Sequence, residues 1–127
     1  RFSVERVLIL ALLMMVMLSG DPQDRGFDFY KEQIAKHESD SGRLKINFNS
    51  NRTADVGRFH INTVHFTGRG SVGRAFDKIF KEYGVGEAMH ERVVAAIMND
   101  KLNEDLARCL YKMRGLKDWT SSRKFIK

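Results

Sequence analysis

Hydrophobic positions along the chain change rhythm from segment to segment, and each rhythm predicts an element. Residues 7–18, VLILALLMMVML, are apolar without a break. The polar stretch DPQDRG at 21–26 follows and holds the only proline, which marks a boundary. Over 27–38, Phe27, Tyr30, Ile34 and Ala35 recur at the spacing that gathers side chains on one face of a helix. From Leu44 the period is two. Leu44, Ile46 and Phe48 alternate with Lys45, Asn47 and Asn49, the pattern of a half-buried strand. The cluster Asn49-Ser50-Asn51-Arg52-Thr53 reads as a turn, because asparagine tolerates left-handed backbone and its amide can bond its own main chain. A second short strand follows with Val56, Phe59 and Ile61 as apolar positions, and Gly57 marks a close backbone approach.

Beyond this hairpin, FTGRGSVG at 66–73 predicts a flexible glycine-rich loop at the edge of a groove. It lacks the Lys-Ser or Lys-Thr that a phosphate loop needs after its last glycine, which excludes nucleotide binding of that kind. From Arg74 the chain reads as helical. Phe76, Ile79, Phe80 and Tyr83 share a face, and Gly84 stops the run. Residues 87–99, with Met89, Val93, Ala96 and Ile97, predict a second helix, expected to be the central one. Residues 103–114, with Leu106, Ala107, Leu110, Tyr111 and Met113, predict a third, closed by Gly115. Trp119 in the tail is expected as a core plug. The sum is an α+β fold, mostly helical, in which a small β-hairpin and a helical lobe flank a groove.

Composition adds bounds. With 127 residues, 43% of them apolar, the chain can bury one ordinary core. One domain at 27–127 is expected after an N-terminal appendage at 1–26. The 22 Lys and Arg outnumber the 16 Asp and Glu, giving a net charge of +6 and a pI near 9.7, which favours anionic partners. Cell wall, nucleic acid and membrane surfaces all qualify. The basic residues are scattered rather than interleaved with stacking aromatics, so no specific nucleic-acid partner is expected. Cys109 is the only cysteine and cannot form an internal disulfide; a buried, inert thiol is the expectation. His37, His65 and His90 show no ligand spacing with Asp or Cys, so no zinc site is expected.

The run at 7–18 follows Arg1 and Arg6 and precedes Ser19-Gly20. Twelve helical residues reach roughly 18 Å against a hydrocarbon core of about 30 Å, short for a spanning helix. Positive flank, apolar centre and small residues afterwards match a secretory signal or short signal anchor, which predicts membrane association and membrane targeting. The alternative is an apolar helix packed in the domain or in a larger assembly.

One stretch holds the candidate chemistry. Glu38-Ser39 at a helix end, then Asn49-x-Asn51-x-Thr53-x-Asp55-x-Gly57-x-Phe59-His60-Ile61-Asn62, resembles the peptidoglycan-cleaving lysozyme superfamily, both soluble lytic transglycosylases and c-type lysozymes. Glu38 and Asp55 lie 17 residues apart, the separation that c-type lysozymes show between their two acids. His60 stands where that superfamily usually has Gln, and the single cysteine removes the disulfides of the animal members, pointing to a bacterial or phage-like one. The likeness extends thinly over 27–125.

The resemblance implies cleavage of the β-1,4 bond between N-acetylmuramic acid and N-acetylglucosamine, with no cofactor and no metal. Such cleavage needs a proton on the leaving oxygen, and a carboxylic acid supplies it near neutral pH when burial raises its pKa. Glu38 is expected as that acid, shielded by Phe48 or Phe59 across the hairpin. Asp55 is expected either as an ionised partner in hydrolysis or as a turn residue in a transglycosylase, where one acid serves twice. Asn51, Thr53, His60 and Asn62 are expected to shape the groove or touch the glycan. The periplasm, the cell envelope or a phage virion are the implied locations, and a secretion or conjugation apparatus an implied setting. A non-catalytic wall-binding or assembly protein that kept the fold is the alternative.

Overall fold

The computed structural model describes residues 26–120 and 122–124. Helix α1 (Phe27–Ser39) leads into a three-stranded antiparallel sheet of β1 (Ile46–Phe48), β2 (Ala54–Val56) and β3 (Ile61–Asn62), in the order β1-β2-β3. A 3-10 turn (Thr63–Thr67) then joins α2 (Gly70–Glu82), α3 (Met89–Met98) and α4 (Asp100–Arg114). The small mixed α+β domain expected from the sequence is therefore present, mostly helical and with an open sheet.

Helix α1 buries Phe27, Tyr30, Ile34, Ala35 and Ser39, the stripe its spacing predicts with one further turn. Asp40 and Ser41 then adopt left-handed backbone, and the Ser41 N–H donates to Ala35 O at 3.0 Å, so the chain reverses toward the sheet. Phe27 meets Phe59 and Trp119 at ring-centroid distances of 5.5 and 6.4 Å. Trp119 is 1% exposed and donates its indole N–H to Phe59 O at 2.8 Å, the plug expected of it. Arg108 on α4 forks onto Asp28 of α1 at 2.8 and 3.1 Å and covers the Phe27 ring.

Several expectations are corrected. The second strand divides into two, β2 and β3, because residues 57–60 form a turn. The turn at 49–53 is left-handed at Arg52, not at an asparagine. Leu44, Ile46 and Phe48 are not half-buried but 65%, 41% and 78% exposed. The cause is position: β1 is an edge strand bonded only to β2, and the helical lobe lies under Val56 and Ile61. Ile46 and Phe48 overhang it and border an apolar groove with Met89 and Val93. The glycine-rich stretch is not a loop either, since α2 begins at Gly70 and Gly73 sits within it. A Cβ on Gly73 would come 3.1 Å from the carbonyl carbon of Gly68, so small residues let the 3-10 turn lie against the helix.

The central helix is α4 rather than α3. It packs on α1, α2, α3 and β3 and buries Leu102, Asn103, Leu106, Ala107 and Leu110. It starts earlier than its apolar rhythm indicates, because the Asn99 side chain accepts the Leu102 N–H at 3.1 Å and caps it. On α3 the most buried large side chain is Arg92.

The expected membrane association, membrane targeting and signal anchor are also corrected. Among the described residues no helix is long and apolar enough to cross a membrane. The longest, α4, has 15 residues, about 22 Å, and carries charge along its length. The run at 7–18 lies outside the described residues. The envelope, virion and secretion settings that went with membrane targeting are not carried forward.

Candidate active site

The strand register builds the site. Asn47, Asp55 and Asn62 are cross-strand partners, and so are Ile46, Val56 and Ile61. Neighbouring residues of a strand face opposite ways, so the first row projects from one side of the sheet while Val56 and Ile61 fill the core on the other.

In the polar row Asp55 is held by amides. Asn62 Nδ2 donates to Oδ1 at 2.9 Å, and Asn49 and Asn47 Nδ2 donate to Oδ2 at 3.2 and 3.4 Å. Thr53 Oγ1 accepts from Asn49 and Asn62 at 3.2 Å each and donates to Asn51 Oδ1 at 2.6 Å. Asn62 Oδ1 in turn accepts the Val64 N–H at 2.9 Å, starting the 3-10 turn. The asparagines thus stiffen the β1–β2 turn and fix one carboxylate.

Glu38 lies in the last turn of α1 and lines a cavity together with that carboxylate. Its side chain is 15% exposed. Ser122 Oγ, itself buried, lies 2.6 Å from Glu38 Oε1, and His60 Nδ1 lies 3.8 Å from Oε2. His60 Nε2 sits 2.6 Å from Leu44 O. A carbonyl only accepts, so Nε2 carries the hydrogen and Nδ1 is the atom turned toward Glu38.

Glu38, Asp55 and His60 line one cavity of about 460 Å³ together with His37, Leu44 and Asn47. Asp55 and His60 also border an adjoining cavity of about 410 Å³ that runs past Asn51, Thr53 and Asn62 to Arg114 and Asp118. All six residues singled out in the sequence, Glu38, Asp55, Asn51, Thr53, His60 and Asn62, therefore border one or both of two cavities that share Asp55 and His60 in their walls. Of the two expected shields, Phe48 is 78% exposed and does not cover Glu38, and Phe59 is buried against Phe27 and Trp119. Ser122 was not foreseen. It is 84 residues from Glu38, and a serine in a polar tail carries no signal of such a contact.

Ser39, the second half of the Glu-Ser pair, serves the scaffold. Its hydroxyl donates to Arg58 O at 2.6 Å and accepts the Gly42 N–H at 2.8 Å, joining the end of α1 to the turn that presents His60. His65 borders the second cavity edge-on to Phe76, and burial pushes its imidazole below the ordinary value. Cys109 lies apart on α4 and is half-buried rather than buried as expected; burial pushes its thiol above the ordinary value.

Fold and site together define a small α+β domain with a polar, carboxylate-bearing cleft between a helix end and a three-stranded sheet. No family model, no curated protein and no solved structure matches this chain.

Proposed function

We propose that residues 27–127 form a lysozyme-like domain that cleaves the β-1,4 bond between N-acetylmuramic acid and N-acetylglucosamine in peptidoglycan, with Glu38 as general acid. The observation that supports this reading most is the placement of Glu38: a largely shielded carboxyl at a helix end, lining a cavity whose wall also carries the Asp55 carboxylate. Cleft shape, amide-rich walls and net positive charge suit an acidic glycan.

Asp55 bears on the form of the reaction. Both of its oxygens are engaged by side-chain amides, which suits a fixed charge better than a nucleophile. Transglycosylation is therefore the form we put first: Glu38 protonates the leaving oxygen, then takes the proton of the sugar's own 6-hydroxyl as that oxygen closes on the anomeric carbon. The products of digested peptidoglycan test this by mass. Transglycosylation gives 1,6-anhydro ends lighter by one water than hydrolytic ends, and a digest with full-water ends would favour hydrolysis. Failure to release any soluble fragment would favour a non-catalytic wall binder.

A further inference from the structure

We propose that Ser122 is a positioning residue for Glu38: by donating its hydroxyl hydrogen to Oε1 it leaves Oε2, on the cavity side, as the one oxygen through which protons are exchanged with the glycan. The inference rests on the glycosidase reading above and adds to it the atom that carries both proton transfers.

Among the described residues two serines are fully buried, Ser39 and Ser122, and their hydroxyls are used differently. The Ser39 hydroxyl bonds main chain alone, at Ala35 O, Arg58 O and the Gly42 N–H, as a serine inside a fold commonly does. The Ser122 hydroxyl has no main-chain partner among the described residues; it meets Glu38 Oε1 at 2.6 Å. Its hydrogen has no other acceptor there, and a 0% exposed group has no bulk water to turn to, so the hydroxyl donates to Oε1. Were the acid to carry its own proton on Oε1 and aim it at Ser122, the buried hydroxyl hydrogen would be left unmet, which is costly. Oε1 is therefore an acceptor whether Glu38 is ionised or not, and the proton of the acid form sits on Oε2. That oxygen lies toward His60, a residue of the cavity wall 3.8 Å away.

The tail is built to hold the hydroxyl in place. Trp119, 1% exposed, donates to Phe59 O at 2.8 Å, and the Arg123 N–H donates to Trp119 O at 2.9 Å, closing a turn of chain around Ser122. Phe59 adjoins His60, so the segment that brings Ser122 to Oε1 is tied to the one that brings His60 toward Oε2. The last torsion of a glutamate is broad and roughly two-fold, so a carboxyl without such a partner exchanges its two oxygens freely. Fixing it in advance removes an orientational cost from the chemical step.

In the reaction Oε2 gives its proton to the glycosidic oxygen as the C–O bond breaks and the bonding electrons leave on that oxygen. The sugar's 6-hydroxyl oxygen then bonds the anomeric carbon, and its proton returns to Oε2. The Ser122 hydrogen stays where it is throughout.

The test pairs Ser122→Ala, which lacks the donor, with Ser122→Thr, which keeps it. On soluble peptidoglycan fragments Ser122→Ala should lose roughly 10- to 100-fold in kcat with KM held within about threefold, because the lost contact orients the reacting group and does not touch the glycan. Ser122→Thr should recover most of that loss. A second measurement needs no Ser122 variant and decides the matter if those proteins fail to fold. In Glu38→Gln the donating hydroxyl selects the amide oxygen, which puts the NH2 group at the Oε2 position; its hydrogens should show NMR proximity to the His60 ring and none to the Ser122 β-hydrogens. A folded Ser122→Ala with wild-type kcat, a folded Ser122→Thr as slow as Ser122→Ala, or an NH2 group beside Ser122 overturns the positioning role and leaves the glycosidase reading standing. A wild-type protein that turns over no fragment overturns the glycosidase reading and the role in catalysis with it, while the amide contacts still report how Ser122 holds the side chain.

Discussion

The turn at residues 57–60 has two sides, and they treat polar atoms in opposite ways. On the side that docks into the helical lobe every partner is supplied. Asn103 donates to Val56 O at 3.0 Å and accepts the Phe59 N–H at 2.8 Å, Trp119 donates to Phe59 O, and Ser39 donates to Arg58 O. On the cleft side Glu38 Oε2 has no hydrogen-bond donor among the described residues and only the His60 ring at 3.8 Å. Unmet buried polarity is costly, so a fold keeps its interior saturated and leaves groups underused only where a ligand can reach them. The docked side is scaffold by this criterion, and the cleft side leaves one carboxylate oxygen of Glu38 open.

The sharpest way to break the contrast is at Gly57. Its φ is 81°, and an added Cβ would fall 2.0 Å from the Asn103 amide nitrogen and 2.6 Å from Ala96 O. Gly57→Ala combines backbone strain with a collision against buried neighbours, and we expect a loss of about 4 kcal/mol in unfolding free energy. Urea denaturation measures it; a loss under about 1 kcal/mol would mean the turn does not dock as described.

A smaller effect is expected at a second saturated centre, where the buried Arg92 guanidinium bonds Asp77 at 2.6 Å and the carbonyls of Phe66 and Gly86 at 2.9 Å each. Hydrogen bonds from Arg92 first, then from Lys81, hold the Asp77 carboxyl below its ordinary value of 3.8. A folded-state pKa below the unfolded one gives stability that is present above the unfolded value and lost as pH falls through the folded one. The melting temperature of the wild type should therefore drop as pH falls below about 4, and Asp77→Asn should flatten part of that drop. Parallel curves for the two proteins would contradict the pairing.

The least effect is expected at Phe48, 78% exposed on the edge strand. Phe48→Ser should change stability by less than about 0.5 kcal/mol, as surface substitutions usually do. A thermal scan showing a larger loss would mean that the strand is covered.

These regions also differ in how far they can be read from sequence. The α1 stripe, the close approach at Gly57, the Trp119 plug and the six cleft residues follow from local period, from backbone chemistry or from family likeness. What escaped has non-local causes. Alternation at Leu44, Ile46 and Phe48 gives a strand but not which strand lies over the helical lobe: Val56 and Ile61 are covered by it, and β1 overhangs it. Asn103 lies at the start of an apolar helical pattern and looks like a polar residue of its first turn, yet its amide serves Val56 and Phe59, 47 and 44 residues away. Arg92 reads as a solvated charge and is buried because its donors find two carbonyls and an aspartate from other segments. Ser122 reaches Glu38 only because Trp119 anchors the tail under Phe59.

The central claim is that the Glu38 carboxyl supplies the proton that breaks the glycan, and Glu38→Gln tests it most directly. The amide keeps the shape of the side chain and can still bond Ser122, so the melting temperature should stay close to that of the wild type. Clearing of a peptidoglycan suspension should slow by about 10² to 10⁴-fold. A folded Glu38→Gln protein that clears peptidoglycan at the wild-type rate would contradict the account.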